Sequence, residues 1–126
     1  GETIGTATPD RVKKVWDVCL SELDSRVLAG HFHNTYGMAI ANIYQSLQQG
    51  IRIFDSSIAG LGGCPYAKGA AGNVATEDLY YLLSHMGFET GINLEALMQA
   101  SRKIGQLLQR NNPSNYAQAY WQSHPA

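Results

Sequence analysis

Val27-Leu28-Ala29-Gly30-His31-Phe32-His33 is a short apolar run bounded by polar residues, and it fits a buried β-strand. A helix is expected on each side of it. Upstream, Thr8-Pro9-Asp10 reads as a helix start, with Thr8 as N-cap, Pro9 at the first helical position and Asp10 favouring the positive end of the dipole. Val12, Val15, Trp16, Cys19, Leu20 and Leu23 then recur at helical spacing, which makes Cys19 a core thiol. Downstream, a second helix carries Tyr36, Ile40, Ile43, Tyr44 and Leu47 on one stripe and stops at Gly50, a residue suited to the left-handed position after a helix. Ile51-Arg52-Ile53-Phe54-Asp55 follows as the next strand.

Ser56 to Asn73 shows no clear period and is longer than a structural connection usually needs, which marks it as functional. Thr76-Glu77-Asp78 opens a third helix striped by Leu79, Leu82, Leu83 and Met86 and stopped by Gly87. Asn93 caps a fourth, striped by Leu94, Leu97, Met98, Ile104 and Leu108. Residues 1–110 read as one unit. Residues 111–126 form a tail without charged side chains, in which Tyr116, Tyr120 and Trp121 suit either a short helix or a segment draped over a partner.

The alternation of strand and helix is that of βαβ units and a parallel sheet. Two strands and a stub make a poor sheet, because parallel strands are normally covered on both faces and paired along both edges. The run therefore reads as part of a larger sheet. Its first residues, Gly1-Glu2-Thr3-Ile4-Gly5, resemble the end of a buried strand running into a loop, as if continuing from a preceding segment.

The chain has 126 residues, about one domain, with 44% hydrophobic and 15% charged residues, a globular composition. Nine Lys and Arg against ten Asp and Glu leave a net charge of -1, which lacks the phosphate-neutralising excess of a nucleic-acid binder. No apolar run approaches the roughly 18 residues of a membrane span. Cys19 and Cys64 are too sparse for a disulfide framework and fit a reducing, intracellular compartment.

His31 and His33 are separated by one residue on a strand and so project to one face. Two readings stand for them, a pair of metal ligands or two hydrogen-bonded histidines at a strand end. The later loop places Cys64 between Gly60, Gly62 and Gly63 on one side and Pro65 on the other. Glycines allow close backbone approach and the proline stiffens the turn, although an incidental surface thiol fits the same pattern. Gly60-Leu61-Gly62 lacks the third glycine of a dinucleotide fingerprint, and Lys68 stands on the wrong side of its glycine for a P-loop. Asn73, at the end of the loop, is either a site amide or a helix N-cap.

The stretches His31-Phe32-His33-Asn34-Thr35-Tyr36-Gly37, Asp55-Ser56-Ser57-Ile58-Ala59-Gly60-Leu61-Gly62-Gly63-Cys64-Pro65-Tyr66-Ala67 and Gly72-Asn73-Val74-Ala75-Thr76-Glu77-Asp78 closely resemble the 3-hydroxy-3-methylglutaryl-CoA lyase family. The resemblance covers nearly all of the chain to about Leu108, and the last sixteen residues carry no match. It implies the C-terminal part of a (β/α)8 TIM barrel, from the end of the sixth strand through the eighth helix with C-terminal helices beyond. It also implies cleavage of 3-hydroxy-3-methylglutaryl-CoA to acetoacetate and acetyl-CoA, a step of leucine degradation and ketone body formation, with a divalent cation, Mg²⁺ or Mn²⁺. By that resemblance His31, His33 and Asn73 correspond to metal ligands, Cys64 to the loop cysteine of acid/base chemistry, and Glu2 to a catalytic carboxylate. The remaining ligand, an aspartate, and its neighbouring arginine belong to the first barrel strand.

Two residues depart from the family pattern. Glu2 stands where Asp is usual and displaces its carboxylate by about 1 Å, an amount that matters for a positioned group. Asn34 stands where Asp is frequent and removes a charge beside the site. Three neutral ligands also leave a hard cation short of a carboxylate. Asp55 is the candidate within the chain, its other reading being an anchor for the turn into the Cys64 loop.

The expected partners are the acyl-CoA substrate, an N-terminal barrel portion and, in one arrangement, a second copy, with neither nucleic acid nor membrane. The expected compartment is the cytoplasm or, alternatively, the mitochondrial matrix. An acyltransferase or aldolase of the same superfamily, like the isopropylmalate and homocitrate synthases, is the second reading, and a non-catalytic truncated fragment the third. The isolated chain is expected to be inactive. Arg52 and Lys68 read as solvated or as contacts for CoA phosphates, His85 and His124 as solvated, and Tyr80-Tyr81 as helix packing.

Overall fold

The computed structural model describes residues 2–63 and 71–125. The first helix, α1 (Pro9–Glu22), starts as expected after an extended Thr8 with proline in its first turn, and the extended backbone of Leu23 ends it. Thr8 supplies no side-chain cap to the helix and instead donates its hydroxyl to Asp10. Val12 and Trp16 face the core. Val15 and Leu23 depart from the expected stripe and are 60% and 51% exposed, and Val15 borders an open cleft shared with Leu28 to Phe32.

The second helix, α2 (Ala39–Gln48), begins three residues after Tyr36, which is exposed. Asn34 Oδ1 accepts the Ala39 amide at 3.1 Å, and Gly37 takes a positive φ of 75° in the intervening turn. Gly50, at φ 89°, follows the end of the helix. The two helices are tied by a buried polar contact: Trp16 Nε1 donates to Ser46 Oγ at 2.7 Å, and Ser46 donates to the Asn42 carbonyl at 2.7 Å.

The extended segments are shorter than the sequence pattern suggests. Val27 belongs to a 3₁₀ turn, Ser25–Val27, and pairing begins only at Gly30. Gly30 bridges Phe54 and Phe32 bridges Glu2, both in parallel, so the Gly30–His33 segment lies between its predecessor and its successor. Gly30 is required there, since a Cβ would stand 2.8 Å from the rings of Phe32 and Phe54. Within Ile51 to Asp55, Ile51 is fully buried and Ile53 half exposed. Arg52 stacks over the Phe88 ring, 5.1 Å from its centroid, and donates to the Leu47 and Ile51 carbonyls at 2.9 Å.

A pairing that the sequence pattern does not suggest closes the arrangement. Asn73 pairs antiparallel with His33, and Ala75 pairs parallel with Ser57, so residues 73–75 lie beside both segments. The third helix, α3 (Thr76–His85), follows directly, and α4 (Leu94–Leu108) is capped by Asn93, whose Oδ1 accepts the Ala96 amide at 2.9 Å. The tail forms α5 (Asn115–Ser123), capped by Ser114. It packs on α3, where Tyr116 meets Tyr81 edge to face at 4.8 Å.

Val12, Trp16, Phe32, Ala39, Ile43, Leu47, Ile51, Val74 and Leu79 form the core between helices and extended segments. Cys19 packs against its edge, half-buried. Successive parallel segments, each followed by a helix, have the architecture of part of a (β/α)8 barrel. Among the described residues no helix is long and apolar enough to cross a membrane.

Candidate metal centre

Strand alternation separates Phe32 from its neighbours. Phe32 enters the core, while His31 and His33 project from the other face with ring centroids 5.0 Å apart at 61°. His33 is buried and its Nδ1 has no hydrogen-bond partner among the described residues. His31 is more open, and its Nδ1 lies 2.7 Å from Asp55 Oδ1.

Register brings Asp55 there, since the Gly30–Phe54 bridge sets the next residue of each segment side by side. Asn73 arrives from its pairing with His33. Its Nδ2 donates to Asp55 Oδ1 at 2.6 Å and stands 3.5 Å from His31 Nδ1, while Oδ1 accepts the Val74 amide at 2.9 Å. Asn73 is not a helix cap, for the N-cap of α3 is Ala75. Asp55 is exposed, with 60% of its side chain accessible, and the slight desolvation it does suffer would by itself raise its pKa. Hydrogen bonds from Asn73 and His31, with the charges of His31 and His33, outweigh that desolvation and hold it below the usual value.

The structure therefore gathers His31, His33, Asn73 and Asp55. Glu2 stands apart in its bonding. Its Oε1 accepts the Thr6 amide at 3.2 Å, Oε2 is buried without a partner among the described residues, and its backbone is in register with Phe32 rather than with either histidine. Among the described residues no group of three His, Cys, Asp or Glu side chains forms a ready cation cage, so the donor set depends on the Asn73 amide. The unspent His33 Nδ1 and the convergence of two imidazoles, an amide and a carboxylate fit a divalent cation.

The glycine loop leaves Asp55 through a 3₁₀ turn, Ile58–Gly60, in which Ala59 has a φ of 55° and Gly60 of 60°. Gly62 needs glycine for its φ of 110°, and Gly63 is exposed. Cys64 and Pro65 lie outside the described residues, as does Lys68. The loop returns at Gly72, where a Cβ would overlap the carbonyl oxygens of Gly60 and Leu61. Neither this crossing nor buried Glu77, which accepts the Ala59 amide, carries a sequence signal beyond a loop glycine and an acid in a helix's first turn. His85 and His124 are exposed and stack on Tyr81 and Tyr120, respectively.

The family model described as HMGL-like matches residues 1–104. The hydroxymethylglutaryl-CoA lyase of Pseudomonas mevalonii is 54% identical over 114 residues, 90% of this chain and 38% of that protein. The 3-hydroxy-3-isohexenylglutaryl-CoA/hydroxymethylglutaryl-CoA lyase of Pseudomonas aeruginosa is 51% identical over 119 residues, 94% of this chain and 40% of that protein. That match covers 119 of the 126 residues and so extends past residue 110 into the tail. The crystal structure of a hydroxymethylglutaryl-CoA lyase from Pseudomonas aeruginosa superposes with a TM-score of 0.92 at 50% identity, over 98% of this chain and 41% of that one. The chain thus spans about 40% of the length of these relatives.

Proposed function

The chain belongs to the HMGL-like family, and from that premise we propose that it supplies the metal-holding part of a lyase that cleaves 3-hydroxy-3-methylglutaryl-CoA to acetoacetate and acetyl-CoA. The observation that carries this reading is the convergence of His31, His33 and Asn73 around Asp55, within a chain 54% identical to a hydroxymethylglutaryl-CoA lyase.

His31, His33 and Asn73 would hold Mg²⁺ or Mn²⁺. When bound, such a cation lowers the cost of ionising the tertiary hydroxyl of the substrate. Asp55 orients His31: by accepting the hydrogen bond from Nδ1–H it leaves Nε2 as the ligating nitrogen. Asn73 would ligate through oxygen, which requires its amide to turn and give up the bond from Nδ2 to Asp55. That exchange keeps Asp55 as a negative charge behind the ligands, offsetting part of the neutrality of the set. Cys64 is assigned a proton exchange with the substrate or its enolate product, and the carboxylate of Glu2 a supporting catalytic role. The fourth ligand of the family and its arginine belong to sequence other than these 126 residues, so the chain by itself is expected to release no acetoacetate.

A chimera in which this chain replaces the matching part of the Pseudomonas mevalonii lyase tests the activity. Acetoacetate release from 3-hydroxy-3-methylglutaryl-CoA supports the reading, whereas condensation of acetyl-CoA with a 2-oxo acid in its place would select the acyltransferase class. The 3-isohexenyl analogue is a useful second substrate, because a relative 51% identical is named for it.

A further inference from the structure

Glu77 is a buried ionisable group without a task in the chemistry above. It lies in the first turn of α3, fully buried, with no cationic partner among the described residues. Its carboxylate is nevertheless fully engaged. Oε1 and Oε2 accept the Ala59 amide at 3.0 and 3.1 Å, and Ser101 Oγ of α4 donates to Oε1. Asn112, on the connection between α4 and α5, donates through Nδ2 to Ser101 Oγ at 2.7 Å. A carboxylate is tolerated away from water only when donors meet its lone pairs, so Glu77, Ser101 and Asn112 form one unit.

What this unit holds is a backbone turn that ordinary residues avoid. Ala59 is a non-glycine residue at φ 55°, and Gly60 follows at 60°. Pro113, next to Asn112, closes over the same turn, with its Cγ 3.1 Å from where a Cβ on Gly60 would stand. The carbonyls of Gly60 and Leu61 then press on Gly72, and the residue after Gly72 is Asn73.

We propose that Ser101 and Asn112 are positioning residues for Asn73. Through Glu77 they fix Ala59 in its left-handed turn, and the turn fixes where Gly60 and Leu61 meet Gly72. That crossing sets the point from which Asn73 reaches His31 and Asp55. The α4–α5 connection is therefore part of the site, although its side chains bond Ser101 and Asp78 rather than Asn73. The proposal takes from the proposed function only that Asn73 is a cation ligand.

Amide exchange in the full 126-residue chain, read on peptides spanning Ser57 to Leu61, tests the mechanical link without metal or substrate. Asn112→Asp keeps the oxygen that accepts the Ser114 amide but removes the donor to Ser101. Ser101→Ala removes the donor to Glu77. Each is expected to speed exchange at Ala59 about tenfold, the loss of one hydrogen bond of the buried unit. Gln118→Ala, which removes a bond to the Asn112 carbonyl outside the unit, is expected to change it less than twofold.

In the chimera, Asn112→Asp is expected to weaken Mn²⁺ binding about tenfold while KM for the acyl-CoA stays within twofold. Absence of protection at Ala59 in the unsubstituted chain, exchange indifferent to both variants, or unchanged Mn²⁺ affinity overturns the proposal. A chimera that binds Mn²⁺ and responds to Asn112→Asp but releases no acetoacetate would overturn the proposed function and leave this link standing.

Discussion

Asp55 Oδ1 lies 2.7 Å from His31 Nδ1, and the same oxygen accepts Asn73 Nδ2 at 2.6 Å. One carboxylate oxygen thus orients two side chains that arrive from different segments. A carboxylate behind a ligating imidazole fixes its tautomer and its aim, and removing such a partner typically weakens metal binding by about 10–100-fold. Asp55→Asn in the chimera is expected to lower Mn²⁺ affinity by that order with the fold intact, as measured by the signal of free Mn²⁺ in paramagnetic resonance. Unaltered affinity would mean that Asp55 only anchors the turn into the glycine loop.

The crossing of the loop's two ends is a backbone contact and cannot yield. A methyl on Gly72 would overlap Gly60 O and Leu61 O. Gly72→Ala is expected to displace Asn73, costing more than about 2 kcal/mol of stability as an overpacking change and abolishing tight Mn²⁺ binding. Urea denaturation with a Mn²⁺ titration checks both, and a variant as stable and as tight as the parent contradicts the crossing.

The tie between α1 and α2 has its own readout. Trp16→Phe removes the donor to Ser46 Oγ but leaves Ser46 bonded to the Asn42 carbonyl, so no new orphan donor results. The expected loss is about 1 kcal/mol, seen as a lower urea midpoint with an unchanged slope. A loss of several kcal/mol would show that the ring's shape, not its N–H, makes the contact.

Helices were largely legible in the sequence because their determinants are local. Pro9, Asn93 and Gly50 act on the residues next to them, and the starts of α1 and α4 stand where those residues put them. The start of α2 was not, since Tyr36 continues the stripe while Gly37 breaks the backbone. The histidine pair follows from strand alternation and the resemblance. The partner of His31 does not, because it depends on the register between Gly30 and Phe54, set by ring packing over a glycine. Glu77 looked like an ordinary first-turn acid. Its carboxylate is met by the Ala59 amide and the Ser101 hydroxyl, both far from it along the chain.

Cys64 carries the proton exchange in the proposed chemistry. Cys64→Ser in the chimera is expected to cut turnover by at least about 100-fold, the usual reach of a general acid or base, while Mn²⁺ binding stays within twofold. Equal turnover removes the thiol from the mechanism.

Removal and return of the cation reach the central claim most directly. Acetoacetate release by the chimera is measured before chelation, after chelation and after Mn²⁺ is restored, in the parent and in His33→Ala. The account predicts that chelation abolishes release, that Mn²⁺ restores it in the parent, and that His33→Ala recovers little at the same Mn²⁺ concentration. Release at full rate in the chelated parent, or full recovery by His33→Ala, would contradict it.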